Sequence, residues 1–250
     1  MLEMKNVSGG YGKRIVVSEI NALFSKGEIT SVIGANGCGK STLLMLAAGL
    51  ITCDTGTILA DGEDISKLSR NVLARKLSYL PQMKNPGSIS VHSLVSHGRF
   101  PYLGYPRRYT AEDKRKVDEA MSLAGVSELA DRNFGELSGG QQQRVRIAMT
   151  LAQDTDIILL DEPMTYLDIR HKLEVSELIG TLREMGKTIV AVMHDLDIAF
   201  ACSDKIAVMN GGRLTAFDLP EAIAKSKSFE DALGVRALYS GEFGRYFFVK

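Results

Sequence analysis

The 250-residue chain has no run of 18 or more apolar residues, so no segment of it can cross a bilayer as a helix. It has no excess of charge of either sign. Its 30 Lys and Arg residues are balanced by 30 Asp and Glu, which argues against a dedicated nucleic-acid binder, where a basic surplus is the rule. No nucleic acid is therefore expected among its partners. Cysteine is scarce: Cys38, Cys53 and Cys202 are odd in number and widely spaced, which fits reduced thiols rather than a disulfide framework or a zinc site. Residues 1–8 alternate charged and apolar side chains and lack the apolar run of a signal peptide, so the chain is expected to stay in the cytoplasm. There is no internal repeat and no low-complexity linker.

What is present is ordinary for a globular protein: 45% apolar and 24% charged residues. This length can bury a full core without metal or disulfide staples. Ser8-Gly9-Gly10 and Ser25-Lys26-Gly27-Glu28 read as turns between short strands. Ile29-Thr30-Ser31-Val32-Ile33 reads as a buried strand, followed by a glycine-rich loop and a helix over residues 42–48 that stops at Gly49. Residues 57–60 and 77–80 read as strands, and residues 86–153 are predominantly helical. Val91, Leu94 and Val95 share one helix face, and Val117, Ala120, Met121 and Ala124 another. Between them lies the aromatic stretch Arg99-Phe100-Pro101-Tyr102-Leu103-Gly104-Tyr105-Pro106. Residues 157–160 and 188–192 return to strand with a helix between, the pattern of a parallel sheet.

Gly34-Ala35-Asn36-Gly37-Cys38-Gly39-Lys40-Ser41 matches G-x-x-x-x-G-K-[ST] and sits between a predicted strand and a predicted helix. The glycines let backbone N–H groups turn towards phosphate oxygens, and the helix start, through Thr42, adds free donors and a positive dipole end. Lys40 can reach the β- and γ-phosphates, and Ser41 can ligate Mg²⁺. Cys38 reads as a small filler in this loop, and an adduct on its thiol would crowd the phosphate site. The second motif is an apolar strand that ends in Asp161-Glu162. Asp161 suits the Mg²⁺ shell, through water, and Glu162 suits a general base that polarises the attacking water. The third is Leu137-Ser138-Gly139-Gly140-Gln141, a second anion-binding helix start in the same chain.

That pentapeptide, between the phosphate loop and the Asp-Glu strand, resembles the signature of ABC-type ATPases, and the resemblance spans nearly the whole chain. Tyr11 resembles the aromatic that stacks on adenine. Gln82 in Tyr79-Leu80-Pro81-Gln82 resembles the glutamine that joins Ser41 as a Mg²⁺ ligand. Tyr166-Leu167-Asp168 resembles the D-loop, and His194 in Val192-Met193-His194-Asp195 the histidine that senses the γ-phosphate. The other histidines, His92, His97 and His171, fit no motif and read as surface or packing residues. The resemblance implies a single α/β P-loop NTPase domain over residues 1–250. Its parallel-sheet core, with an N-terminal antiparallel β subdomain, would span about residues 1–85 and 154–250, with an inserted helical subdomain over about 86–153. It implies ATP and Mg²⁺ as ligands. It also implies a head-to-tail homodimer in which Ser138, Gly139, Gly140 and Gln141 of one chain meet the ATP on the other.

Val95-Ser96-His97-Gly98-Arg99-Phe100-Pro101-Tyr102 and the stretch from Ala148-Met149 to Pro163 are similar to ATPases that power importers of iron–siderophore complexes, haem and vitamin B12. The subgroup usually has Thr where Met164 stands. Two permease subunits, and through them an external substrate-binding protein, are the implied partners, at the cytoplasmic face of a bacterial inner membrane. The aromatic stretch reads either as a packed turn or as part of the groove that receives a permease helix. Residues 105–116 read as a solvated helix face. The alternative is a soluble ABC ATPase that powers an assembly such as iron–sulfur cluster biogenesis.

Overall fold

The structure, a computed structural model, describes residues 1–81, 87–165 and 167–250, so Gln82 and Tyr166 lie outside the described residues. Two long antiparallel strands open the chain, β1 (Leu2–Tyr11) and β2 (Arg14–Phe24). Gly9 and Gly10 do not form the expected turn. They lie inside β1, at register irregularities of its pairing with β2, and the reversal falls after Tyr11. Gly10 is needed there because a methyl on it would lie 2.0 Å from the carbonyl oxygen of Arg14. After β3 (Ile29–Gly34) and helix α1 (Lys40–Ala47), β4 (Cys53–Ala60) pairs with β1 and the short β5 (Glu63–Asp64) with β4.

Helix α2 (Arg70–Lys76) leads into β6 (Leu77–Leu80). Between Val91 and Ala152 the described elements are helical: α3 (Val91–Ser96), a short 3₁₀ segment at His97–Tyr102, α4 (Ala111–Leu123) and α5 (Gly139–Ala152), with 3₁₀ turns between the last two. Then β7 (Ile157–Asp161), α6 (Ile169–Glu184), β8 (Thr188–Val192), α7 (Leu196–Cys202), β9 (Lys205–Asn210) and β10 (Arg213–Asp218) complete a six-stranded sheet of order β10-β9-β3-β8-β7-β6. All its pairings are parallel except that of β10 with β9. The chain ends in α8 (Pro220–Ala224), α9 (Lys227–Leu233) and a hairpin of β11 (Arg236–Ser240) with β12 (Arg245–Val249). Phe200 of α7 anchors this tail, with ring centroids 5.5 Å from Phe229 and 5.1 Å from Tyr246 and Phe248.

The parallel strands are apolar on both faces because both are covered. Ile158 and Leu160 of β7, Ile189 and Ala191 of β8, and Ile206 and Val208 of β9 join the core shared with α3, α4, α5 and α6. Their alternate neighbours Ile157, Leu159, Val190, Val192, Ala207 and Met209 join the core under α1 and the N-terminal sheet. With side chains alternating at period two, a one-residue slip would exchange the two cores, so the register is strongly specified.

The aromatic stretch is half packed. Arg99 is buried, its Nε donating to Asp113 Oδ1 at 3.0 Å and its Nη1 to the Ala152 carbonyl at 2.9 Å. Tyr102 donates to the Gln153 carbonyl, whereas Tyr105 is fully exposed. The solvated face expected downstream holds for Lys114 and Arg115. Asp113 departs from it, buried as the N3 residue of a capping box with Thr110. Burial pushes the Asp113 carboxyl up, but hydrogen bonds from Thr110 and then Arg99 hold it below the usual carboxylate range. Its contribution to stability is therefore complete above an unfolded pKa of about 4 and is lost as pH falls through the lower folded value. Replacing Arg99 by Ala leaves that buried carboxylate without its cation, held by Thr110 alone. Urea unfolding followed by circular dichroism should show a loss of about 3–5 kcal/mol at neutral pH.

Candidate active site

The loop after β3 can turn only because of its glycines. Gly34 sits at φ 151°, and a methyl there would lie 2.2 Å from the Met209 carbonyl oxygen of β9. Gly39, at φ 105°, caps α1, whose first turn carries no acidic residue to offset its positive end. Asn36, Gly37, Gly39, Lys40, Ser41 and Thr42 line a cleft of 610 Å³. Lys40 spans the loop, its Nζ donating to the carbonyls of Gly34 at 2.8 Å and Ala35 at 3.0 Å. Cys38 is buried beneath, with its sulfur packed near Gly34.

Strand β7 delivers the two acids to the same place. Asp161 accepts from Ser41 Oγ at 2.9 Å and from the Tyr79 hydroxyl at 3.1 Å. Burial raises the Asp161 pKa and the nearby Glu162 adds to the rise, against the hydrogen bonds of Ser41 and Tyr79 and the charge of Lys40. The Tyr79 hydroxyl is held protonated above its usual range, by burial first and then by the Asp161 charge. Glu162 itself sits at φ 53°, a left-handed conformation that is strained for a residue with a side chain. Its carboxylate accepts from His194 Nε2 at 2.7 Å and from Thr165 Oγ1 at 3.1 Å. Glu162, Met164, Thr165, Lys172, His194 and Asp195 form the wall opposite the phosphate loop.

The cleft thus gathers the loop residues, Glu162 and His194, with Asp161 bonded to Ser41. Its lining does not include Tyr11, residues 138–141 or Asp168. Tyr11 is half exposed at the end of β1, its hydroxyl 3.8 Å from Met45 Sδ. Ser138 caps α5 in a reciprocal box: its hydroxyl accepts from Gln141 N–H, and Gln141 Oε1 accepts from Ser138 N–H. Asp168 caps α6 and accepts from both the backbone and the ring of His171. Sequence reasoning missed Tyr79, Thr165, Lys172 and Val16 as site residues, and His171 reads from the sequence as a surface or packing residue. Tyr79 reaches the site through the sheet: it stands opposite Leu159 in the parallel pair β6–β7, two residues short of the Asp161 level, a register that no local sequence pattern reveals.

This is the geometry of a P-loop nucleotide hydrolase. The family model described as ABC transporter matches residues 17–165, and the chain belongs to that family. It is 44% identical over 232 residues to the petrobactin import ATP-binding protein FpuD of Bacillus anthracis, covering 92% of this chain and 85% of the relative. It is 40% identical over 231 residues to the ferric enterobactin transport ATP-binding protein FepC of Escherichia coli K12, with 92% and 85% covered. Among solved structures it resembles the dimeric cassette MJ0796 of a bacterial ABC transporter, at 29% identity and a TM-score of 0.77, with 88% of this chain and 99% of that one covered. The chain is accordingly an ABC-type ATPase that binds and hydrolyses ATP.

Tyr79→Phe removes one of the two hydroxyls that favour the Asp161 carboxylate. The Asp161 pKa should rise further, and the acid limb of the ATPase pH profile should move to higher pH, with turnover near the optimum falling less than tenfold, by about 1 kcal/mol. A pH–rate profile of the variant beside the parent checks this.

Proposed function

We propose that the chain is the ATP-hydrolysing subunit of an importer for a ferric siderophore or related metal chelate. It works as a homodimer beneath two permease subunits, on the cytoplasmic face of the membrane, with an external binding protein delivering the chelate. The observation that carries this reading is the convergence of Lys40, Ser41, Asp161, Glu162 and His194 at one cleft, in a chain whose relatives are named for siderophore import. No helix among the described residues is long and apolar enough to cross a membrane, which fits a subunit that docks on spanning partners. The helical segment of about residues 86–153, inserted in the core of about 1–85 and 154–250, supplies the half-exposed aromatic turn as the permease-facing surface. Exposed Phe100 and Tyr105 there suit a helix laid in a groove.

The residues fit Mg²⁺. Ser41 Oγ and Asp161 Oδ1 are hard oxygen donors 2.9 Å apart, and a cation would relieve the burial that raises the Asp161 carboxyl. Among the described residues there is no cluster of three His, Cys, Asp or Glu, in keeping with an ion bound by one hydroxyl, one carboxylate through water, Gln82 and phosphate oxygens. When bound, Mg²⁺ would neutralise charge on the β- and γ-phosphates. Lys40 and the α1 N-terminus hold the phosphates, with the N–H groups of Gly34, Ala35, Asn36, Gly37, Cys38 and Gly39 around them and Thr42 at the helix start. Tyr11 stacks on adenine. Glu162, aimed by Thr165 and His194, orients and deprotonates the attacking water. His194 also senses the γ-phosphate. Ser138, Gly139, Gly140 and Gln141, with Asp168 beside them, complete the partner's site: the Gly139 and Gly140 N–H groups and the Ser138 hydroxyl face developing negative charge, while the Ser138 and Gln141 N–H groups close the capping box.

Glu162→Gln should keep ATP binding, cut turnover at least a hundredfold and accumulate an ATP-bound dimer on size-exclusion chromatography. Turnover near that of the parent would remove the general-base role. Lys40→Ala should lose nucleotide binding, read by a fluorescent ATP analogue. For the transport reading, pull-down from solubilised membranes should recover a permease, and its absence would favour a non-transport ATPase.

A further inference from the structure

Gly140 has no room for a side chain. A methyl there would lie 2.7 Å from His171 Cδ2 and 2.8 Å from its Cγ, while one on Gly139 would meet nothing within 4 Å. Gly140 does not adopt a positive φ, so the constraint is steric, and its source is the imidazole. That ring is fixed from the other side: Nδ1 lies 2.7 Å from Asp168 Oδ1, and the His171 backbone N–H donates to the same oxygen at 2.9 Å. Asp168 is the cap of α6, and upstream of it Thr165 N–H bonds to the Glu162 carbonyl and Leu167 N–H to the Met164 carbonyl. One turn further along α6, Glu174 Oε2 faces Arg144 Nη1 of α5 at 3.5 Å. An unbroken chain of contacts therefore joins the loop that carries Glu162 to the turn that carries Ser138 and Gly140.

We infer that His171 is a positioning residue: its ring holds the Ser138–Gly139–Gly140 turn against the 162–168 loop, so that the two move as one piece. The inference rests on the head-to-tail dimer proposed above. In that dimer Glu162, Met164 and Thr165 serve the ATP on their own chain, and the 138–140 turn, with Asp168 beside it, serves the ATP on the other. His171 then links the two nucleotide sites mechanically. A flat, stiff ring with one bonded nitrogen suits this task. It resists compression along the line from Asp168 to Gly140, and its aim is set by a bond only three residues away in sequence.

The test uses the full chain with Glu162→Gln as the parent, measuring ATP-dependent dimer formation by analytical ultracentrifugation and monomer nucleotide binding with a fluorescent ATP analogue. Adding His171→Ala should raise the ATP concentration for half-maximal dimerisation about tenfold while leaving nucleotide binding to the monomer within about twofold. In the chain with Glu162 intact, His171→Ala should lower kcat with little change in KM. His171→Phe, which keeps a ring against Gly140 but not the bond to Asp168, should restore dimerisation in part. Dimerisation and turnover unchanged in His171→Ala would overturn the inference. Parallel losses of monomer ATP binding and thermal stability would also overturn it, because they mark a merely structural residue. If the Glu162→Gln parent itself fails to dimerise with ATP, the head-to-tail reading falls and this inference falls with it.

Discussion

The site depends on one hydrogen bond, from Ser41 Oγ to Asp161 Oδ1, between residues 120 positions apart in sequence. It can form only if the helix after β3 and the end of β7 reach the same level of the sheet. Strand β8 lies between them and sets that level. Ile29 to Val32 pair with Ile189 to Val192 on one side of it, and Ile157 to Asp161 pair with Thr188 to Val192 on the other. With Asp161 opposite Val192, Glu162 lies one residue and His194 two residues beyond the last paired rung, which brings the two side chains within 2.7 Å. The cleft is thus the crevice beyond the carboxyl ends of parallel strands, where open α/β sheets place their ligands.

Building that crevice concentrates unfavourable features. Asp161 is buried beside a second acid, Lys40 is buried, and Glu162 holds a strained backbone. None of these stabilises the fold alone, and each is offset locally: Asp161 by two hydroxyls and Lys40, the Lys40 ammonium by two carbonyls, Glu162 by His194 and Thr165. A neutral chain can therefore hold a highly charged ligand, because the compensation is arranged within a few ångströms and owes nothing to the net charge. Met164 lines the same cleft, its side chain without a polar partner among the described residues. It contributes an apolar wall to the cleft, while the polar work is done by its neighbours.

Contiguous features were legible in the sequence. The phosphate loop, the Asp161-Glu162 strand end and the helix start at Ser138-Gly139-Gly140 each need only neighbouring residues and a local period. The parallel core was legible for the same reason, since strand runs alternate with a helical run. Partners across the sheet were not. Tyr79 and Thr165 enter the site through pairings and turns that no local pattern encodes, and His171 matters only because α6 passes beside Gly140. Gly9 and Gly10 misled in the other direction. Glycines mark a turn and a bulged, closely approached strand with the same letters, and only the position of β2 decides between them.

The division of parts between the cleft and the α5 turn imposes a mechanical demand. The donors of residues 138–141 are organised by their own capping box, outside the cleft of their own chain. In the head-to-tail reading that turn acts on a ligand it does not bind alone, so its position must be set by its own chain before the partner arrives. Any slack there would be lost from every dimer contact, because ordering a loose turn at association subtracts from the binding free energy. A buttress of fixed length against the loop of Glu162 removes the slack. It also makes the position of the turn report the state of the neighbouring site. Preorganisation and communication between sites are then one physical requirement, met where Gly140, His171 and Asp168 touch.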